Sequence, residues 1–281
     1  MDLFPRGNDA LKVNPSTGAD LALSEHGSDW LWAVTAAYIL SFLVCLVPSF
    51  TAPENKRVFN YTLSMALLVG AVTYYAQASD LSWTAVEQAN QLTRQIFYAR
   101  YINWVVSFPA LILSLGLLSG ISWTAIILNI VLSWFWVLTY LVAAYTATSY
   151  KWGFFAFGTF AYVILAMSTI NESRESAQVL GIGRDYIILS GWVNLMWLLY
   201  PVAFALSDGG HVIGVTSGFI FFGILDMLLL PVAAVGFMAL SRNWDFAMLQ
   251  LDFSEYRGVR GVEILSDKGG RSTAGADSSS R

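Results

Sequence analysis

Residues Gly223-Ile224-Leu225-Asp226-Met227-Leu228-Leu229-Leu230 form an apolar run broken by a single carboxylate. Placing a charge in hydrocarbon costs from ~2.5 to 10 kcal/mol or more, so a chain keeps one there only if it is paired, watered or used. Extended to both sides, the run reads as a helix over 213–240, long enough for a bilayer span of about 20 residues. Six further apolar runs, at 30–51, 59–79, 96–117, 121–144, 152–171 and 185–206, have the same length and character. Arg100 and Asp226 are the two ionisable side chains near the middle of any run, and none of the four lysines lies inside one. At 56% hydrophobic and 12% charged residues, the composition excludes an ordinary soluble domain. The fold class that follows is all-α, a seven-transmembrane-helix bundle.

The connections carry turn chemistry: Ala52-Pro53-Glu54-Asn55, Ser119-Gly120 and Ser207-Asp208-Gly209-Gly210. Short loops make sequential helices antiparallel, so loops alternate between the two sides. The first, third and fifth loops with the C-terminal tail hold ten Lys and Arg, against four in the N-terminus and remaining loops. The positive-inside rule then puts the N-terminus outside and the C-terminus in the cytosol. Three regions result: an extracellular segment over 1–29, the bundle over 30–241 and a cytosolic tail over 242–281. Residues 242–255 read either as a membrane-surface helix or as a continuation of the last span, and a polar, disordered end follows. The sole cysteine, Cys45, cannot form an intrachain disulfide, so helix packing alone must hold the fold. No signal peptide is read, and no basic stripe suggests nucleic acid.

The third run contains Arg100-Tyr101-Ile102-Asn103-Trp104-Val105-Val106-Ser107-Phe108-Pro109, and the sixth Trp197-Leu198-Leu199-Tyr200-Pro201-Val202-Ala203-Phe204. With the run around Asp226, Tyr75 in the second run and Tyr150-Lys151-Trp152 opening the fifth, the chain resembles microbial rhodopsins over roughly residues 30–245. That resemblance implies retinal held through a Schiff base to a lysine one helical turn after the seventh-helix aspartate, where i and i+4 share a face. Here that position is Leu230, and Lys12, Lys56, Lys151 and Lys268 all lie in termini or loops. Covalent retinal is excluded by chemistry, and noncovalent retinal is the only form left open.

The resemblance also places the proton acceptor of the pumps at Asn103 and the cytoplasmic donor at Ser114, neither of which can hold and release a proton near neutral pH. Tyr140 stands where pumps have a glycine, Phe204 where they have a pocket tryptophan, and Phe154-Phe155 where they have a tryptophan pair, so the pocket reads as partly filled. An opsin bundle that keeps Arg100 and Asp226 without the lysine is similar to the fungal opsin-related proteins, whose yeast members include a heat-shock membrane protein. That group implies a non-photochemical, stress-associated plasma-membrane protein that regulates or scaffolds others, the proton-pumping ATPase among them; the chain is expected to be no enzyme and to use neither cofactor nor metal.

Two readings of the retained residues stand side by side. In one, Asp226 is a structural anchor paired directly or through one water with Arg100, Tyr75 and Tyr200 donate hydrogen bonds to it, Asn103 bonds across helices, and Trp104 and Trp197 are core. In the other, Arg100 and Asp226 line a watered cavity for an ion or small ligand, with Trp104 and Trp197 as its walls. A homo-oligomer is compatible with either.

Overall fold

A computed structural model describes residues 8–50, 57–88, 91–244 and 246. Seven helices long and apolar enough to cross a membrane run Glu25–Ser49, Arg57–Ala78, Tyr98–Ser119, Trp123–Tyr145, Lys151–Val179, Gly183–Gly209 and Val215–Asn243. These are the seven predicted runs, with ends shifted by a few residues except where two helices run on. The first span starts earlier than its apolar stretch because the Ser24 hydroxyl accepts the Gly27 N–H at 3.2 Å, a capping bond that draws Glu25 into the first turn. Gly120, at φ +69°, closes the third span in the left-handed conformation that glycine adopts without strain.

Two spans continue through wide π-helical turns. The fifth passes through Ser168–Glu172 and goes on to Val179, and the sixth passes through Ala205–Gly209. The residues read as the loop before the seventh helix therefore lie partly inside the sixth, and Asp208 returns to the bundle.

The helical bundle carries one small element of another kind. The connection between the second and third spans is a hairpin, β1 (Trp83–Glu87) antiparallel to β2 (Thr93–Phe97), with Trp83 opposite Phe97 and Glu87 opposite Thr93. Leu21 of the N-terminal segment joins its edge beside Arg94, where the Gln95 N–H donates to the Leu21 carbonyl at 2.9 Å. Trp83, Thr84, Val86, Thr93, Ile96 and Phe97 are residue types that favour strands, in a stretch too short and polar to span. The predicted extracellular segment is thus tied to the bundle from Asn8 onward, through Asn8 to Ser28 and Asn14 to the Ser79 carbonyl. The reading of 242–255 falls almost wholly outside the described residues. The seventh span ends in a short turn, Ser241–Asn243, after which Trp244 is buried against Phe59 and Phe237 and donates to Asp185 at 2.8 Å.

The third span is the central helix: 72% of its most apolar window is buried inside the protein, against 28% for the first and fifth. It carries Arg100, Asn103 and Trp104. Its proline shows how a membrane bundle satisfies a broken helix. Pro109 has no N–H to offer the carbonyl of Val105, and the indole of Trp134 in the fourth span donates to that oxygen at 3.0 Å instead. Trp30 and Trp192 make like bonds to the carbonyls of Phe219 and Leu228 in the seventh span.

Candidate functional site

The interior faces of the second, third, sixth and seventh spans converge on Asp226. Its carboxylate accepts from Tyr74 at 2.5 Å, from Trp104 Nε1 at 3.0 Å, from Asn103 Nδ2 at 3.4 Å and from the Tyr200 hydroxyl. An ionised carboxyl offers roughly four lone-pair sites, so four protein donors take its whole accepting capacity. Tyr38 of the first span adds a bond to the Asp226 backbone carbonyl at 3.1 Å. The close approach of Tyr38 needs Gly70, because a side chain there would run into its ring. Leu230, one turn on, is buried on the same face.

Arg100 does not pair with Asp226, which corrects the pairing expected from their depth. Its guanidinium meets Asp208 at 2.7 Å, and the Tyr101 hydroxyl donates to the same oxygen at 3.0 Å. Both side chains of the pair are buried, at 4% and 6% exposure. The guanidinium also lies over the rings of Phe219 and Phe222, 4.3 and 4.4 Å from their centroids. Phe222 precedes Asp226 by one turn, so the arginine is displaced toward the end of the bundle that holds the hairpin. The pairing escaped the sequence because Ser207-Asp208-Gly209-Gly210 has turn composition, which hides a helical extension that turns Asp208 inward.

The second correction concerns Tyr75, which is 53% exposed and packs edge-on against Trp32 with ring centroids 5.4 Å apart. The hydroxyl at Asp226 comes from its neighbour Tyr74. A usable signal was present: Tyr75 shares a stripe with Tyr61, Met65, Leu68 and Val72, large side chains suited to lipid and all exposed, whereas Tyr74 follows Gly70 by four on the face of Leu63, Leu67 and Ala78.

Around this centre the rings pack on one another. Trp104 meets Tyr101, Tyr200 and Phe222 with centroids 5.1–5.2 Å apart, and Trp197 meets Phe108 at 5.5 Å and Trp136 at 6.2 Å. Toward the hairpin end, Tyr140, Phe155 and Phe204 form an aromatic cluster, with Tyr140 4.5 Å from Phe204 and 5.2 Å from Phe155. The Tyr140 hydroxyl bonds Thr159 at 2.7 Å, and its ring occupies the space a side chain at Gly158 would need. Phe154, in contrast, turns outward and is 37% exposed. Two buried polar atoms in this region, Asn103 Oδ1 and Trp197 Nε1, have no partner among the described residues.

Outside the spans, buried polar groups gather beneath the hairpin. Burial pushes the Asp80 carboxyl above its ordinary range, against the opposing bond from Gln95 at 2.5 Å. Burial, with Lys151 and Arg94 nearby, holds His211 down to about 4, and its Nδ1 has no partner among the described residues.

A family model of bacteriorhodopsin-like proteins matches residues 26–240. The chain is 37% identical over 254 residues to Protein FDD123 of Trametes versicolor, covering 89% of each. It is 31% identical over 292 residues to the 30 kDa heat shock protein of Saccharomyces cerevisiae, covering 92% of this chain and 87% of that one. Its fold is similar to that of a light-driven proton pump from Leptosphaeria maculans, with a TM-score of 0.75 and 27% identity over 79% of this chain and 97% of the pump.

Proposed function

The chain belongs to the bacteriorhodopsin-like protein family, and from that premise we propose that it works without light, as a stress-associated plasma-membrane protein that regulates or scaffolds other membrane proteins by lateral contact. One observation carries the reading. Asp226, the carboxylate that a protonated imine at residue 230 would need, already accepts from four protein donors, and residue 230 is a leucine with no amine to form that imine. Arg100 is likewise committed, to Asp208. Both retained charges are accounted for by bonds within the protein, and the aromatic cluster of Tyr140, Phe155 and Phe204 adds bulk where the chromophore of a pump would end. The plasma membrane, the outward N-terminus and the proton ATPase as partner belong to this proposal. The stress association draws support from the name of the yeast relative, a heat shock protein.

Two measurements test it. Purified protein given all-trans retinal develops no red-shifted, hydroxylamine-sensitive visible band; such a band would overturn the non-photochemical reading. Tagged protein, cross-linked in its native membrane and purified, brings the plasma-membrane proton ATPase with it, and its loss from cells changes ATPase activity. Equal recovery by an unrelated seven-span control, with unchanged ATPase activity, would remove the regulatory reading and leave the first result standing. A second reading, an ion or small-ligand site, has in its favour the unpartnered Asn103 Oδ1 and Trp197 Nε1; noncovalent retinal would be one such ligand.

A further inference from the structure

At the end of the bundle opposite the hairpin, a crevice of about 380 Å³ opens between the first, second and seventh spans. Its walls are apolar: Val44, Val235, Met238 and Ala239, with Val44 and Val235 about half exposed and facing lipid. Its mouth is polar. Asn60 lines it, and its amide makes no hydrogen bond to the other described residues. Arg242 lines it from the last turn of the seventh span, exposed and with no acidic partner among those residues. The Ser241 hydroxyl, also in the lining, is committed to the Met238 carbonyl at 3.1 Å. Two donors, one of them cationic, thus line the mouth of an apolar slot at the end of the seventh span without a protein partner among the described residues.

We propose that this crevice binds one anionic phospholipid of the adjoining leaflet, its phosphate held by Arg242 and Asn60 and the start of one acyl chain laid along Val44, Val235 and Met238. The Asn60 amide lies at the crevice mouth, and a phosphate oxygen there is an acceptor for it. A guanidinium matches phosphate as a two-pronged donor. Basic residues at a membrane surface also draw anionic headgroups in preference to zwitterionic ones. The helix of another protein would cover the walls and leave Arg242 without a counter-charge. The site lies on the outer face of the bundle, so its test is independent of any regulatory role.

The experiment uses full-length protein, delipidated in neutral detergent and examined by native mass spectrometry against dioleoylphosphatidylserine, dioleoylphosphatidylcholine or inorganic phosphate. The expected result is one retained phosphatidylserine at lipid levels where phosphatidylcholine is lost. Arg242→Gln weakens phosphatidylserine retention about fivefold, the effect of one surface cation on an anionic lipid. Ala239→Trp fills the slot from an outward-facing position without touching the core, and abolishes retention while the melting temperature stays within 2 °C or so of the parent, the scale expected for an exposed substitution. Equal retention of both lipids by the parent protein, or full retention by Ala239→Trp, would overturn the proposal. Displacement of the lipid by millimolar inorganic phosphate alone would also overturn it, because it would make the site one for small anions.

Discussion

Arg100 and Asp208 should be energetically coupled, and Arg100 and Asp226 nearly independent. Removing one partner of a buried ion pair typically costs ~3–5 kcal/mol, because the other charge is left stranded. Within that range the structure orders the two single changes. Asp208→Asn strands a guanidinium that still lies over two aromatic faces and can still reach an amide oxygen, so its cost falls near ~3 kcal/mol. Arg100→Gln strands a carboxylate whose remaining close donor is the Tyr101 hydroxyl, so its cost falls nearer ~5 kcal/mol. The double change leaves two neutral groups able to bond each other, and its loss should fall short of the sum of the singles by ~2–3 kcal/mol. For Arg100→Gln with Asp226→Asn the shortfall should stay near ~0.5 kcal/mol, since the two share no hydrogen-bond partner. Thermal unfolding in detergent reads these differences, at roughly 2–4 °C per kcal/mol for a chain of this size. A larger coupling for Arg100 with Asp226 than with Asp208 would refute the pairing and restore the direct bond expected from depth alone.

Tyr74→Phe removes a bond to a buried carboxyl and should cost ~1.5–3 kcal/mol, while Tyr75→Phe, on the lipid face, should stay within ~0.5 kcal/mol; equal losses in a melting assay would return the donor role to Tyr75. Leu230→Lys alone should form no pigment with all-trans retinal, because the new amine finds Asp226 saturated; a band absorbing in the visible would mean the donors give way. His211 is held down to about 4 in the fold by burial and by Lys151 and Arg94, against an ordinary value near 6.5. Its neutral form therefore stabilises the fold above pH ~6.5, and that contribution is lost as pH falls from there through about 4. His211→Asn keeps a residue type that tolerates the left-handed φ of +55° and should flatten the melting temperature between those limits, whereas an unchanged pH profile would assign the acid sensitivity elsewhere.

The seven spans were legible because length and apolarity are one-dimensional properties, and the depth of Arg100 and Asp226 followed from their positions along the runs. What a side chain meets depends on helix rotation and on where a helix ends. Neighbouring tyrosines, Tyr74 and Tyr75, differ by about 100° around the helix axis, and that angle separates the core from lipid. The turn composition of Ser207 to Gly210 gave no sign that a π-turn would carry Asp208 inward. The hairpin is short, with strands of five residues each and no regular alternation of apolar and polar residues, so nothing in it stood out beside the long runs on both sides. The filling residues Tyr140 and Phe204 could be placed by resemblance, but their contact with Phe155, and the outward turn of Phe154, could not.

A carboxylate at the centre of an opsin bundle invites a reading as the relic of a counterion, retained for chemistry with a ligand. The bonding argues for a different cause. Tyr74 brings the second span to Asp226, Trp104 and Asn103 the third, Tyr200 the sixth, and Tyr38 reaches its backbone from the first. Five of the seven helices therefore meet at one residue of the seventh. In hydrocarbon, packing and interhelical hydrogen bonds replace the water-driven burial that holds soluble cores together. Removing the carboxylate would leave two tyrosine hydroxyls and an indole N–H buried without their acceptor, each a cost of ~1–3 kcal/mol. Losing the lysine removes one aliphatic amine, which leucine replaces with apolar volume; losing the aspartate would unfasten the bundle. The asymmetry between Leu230 and Asp226 thus follows from folding energetics alone, and the survival of the carboxylate needs no photochemistry to explain it.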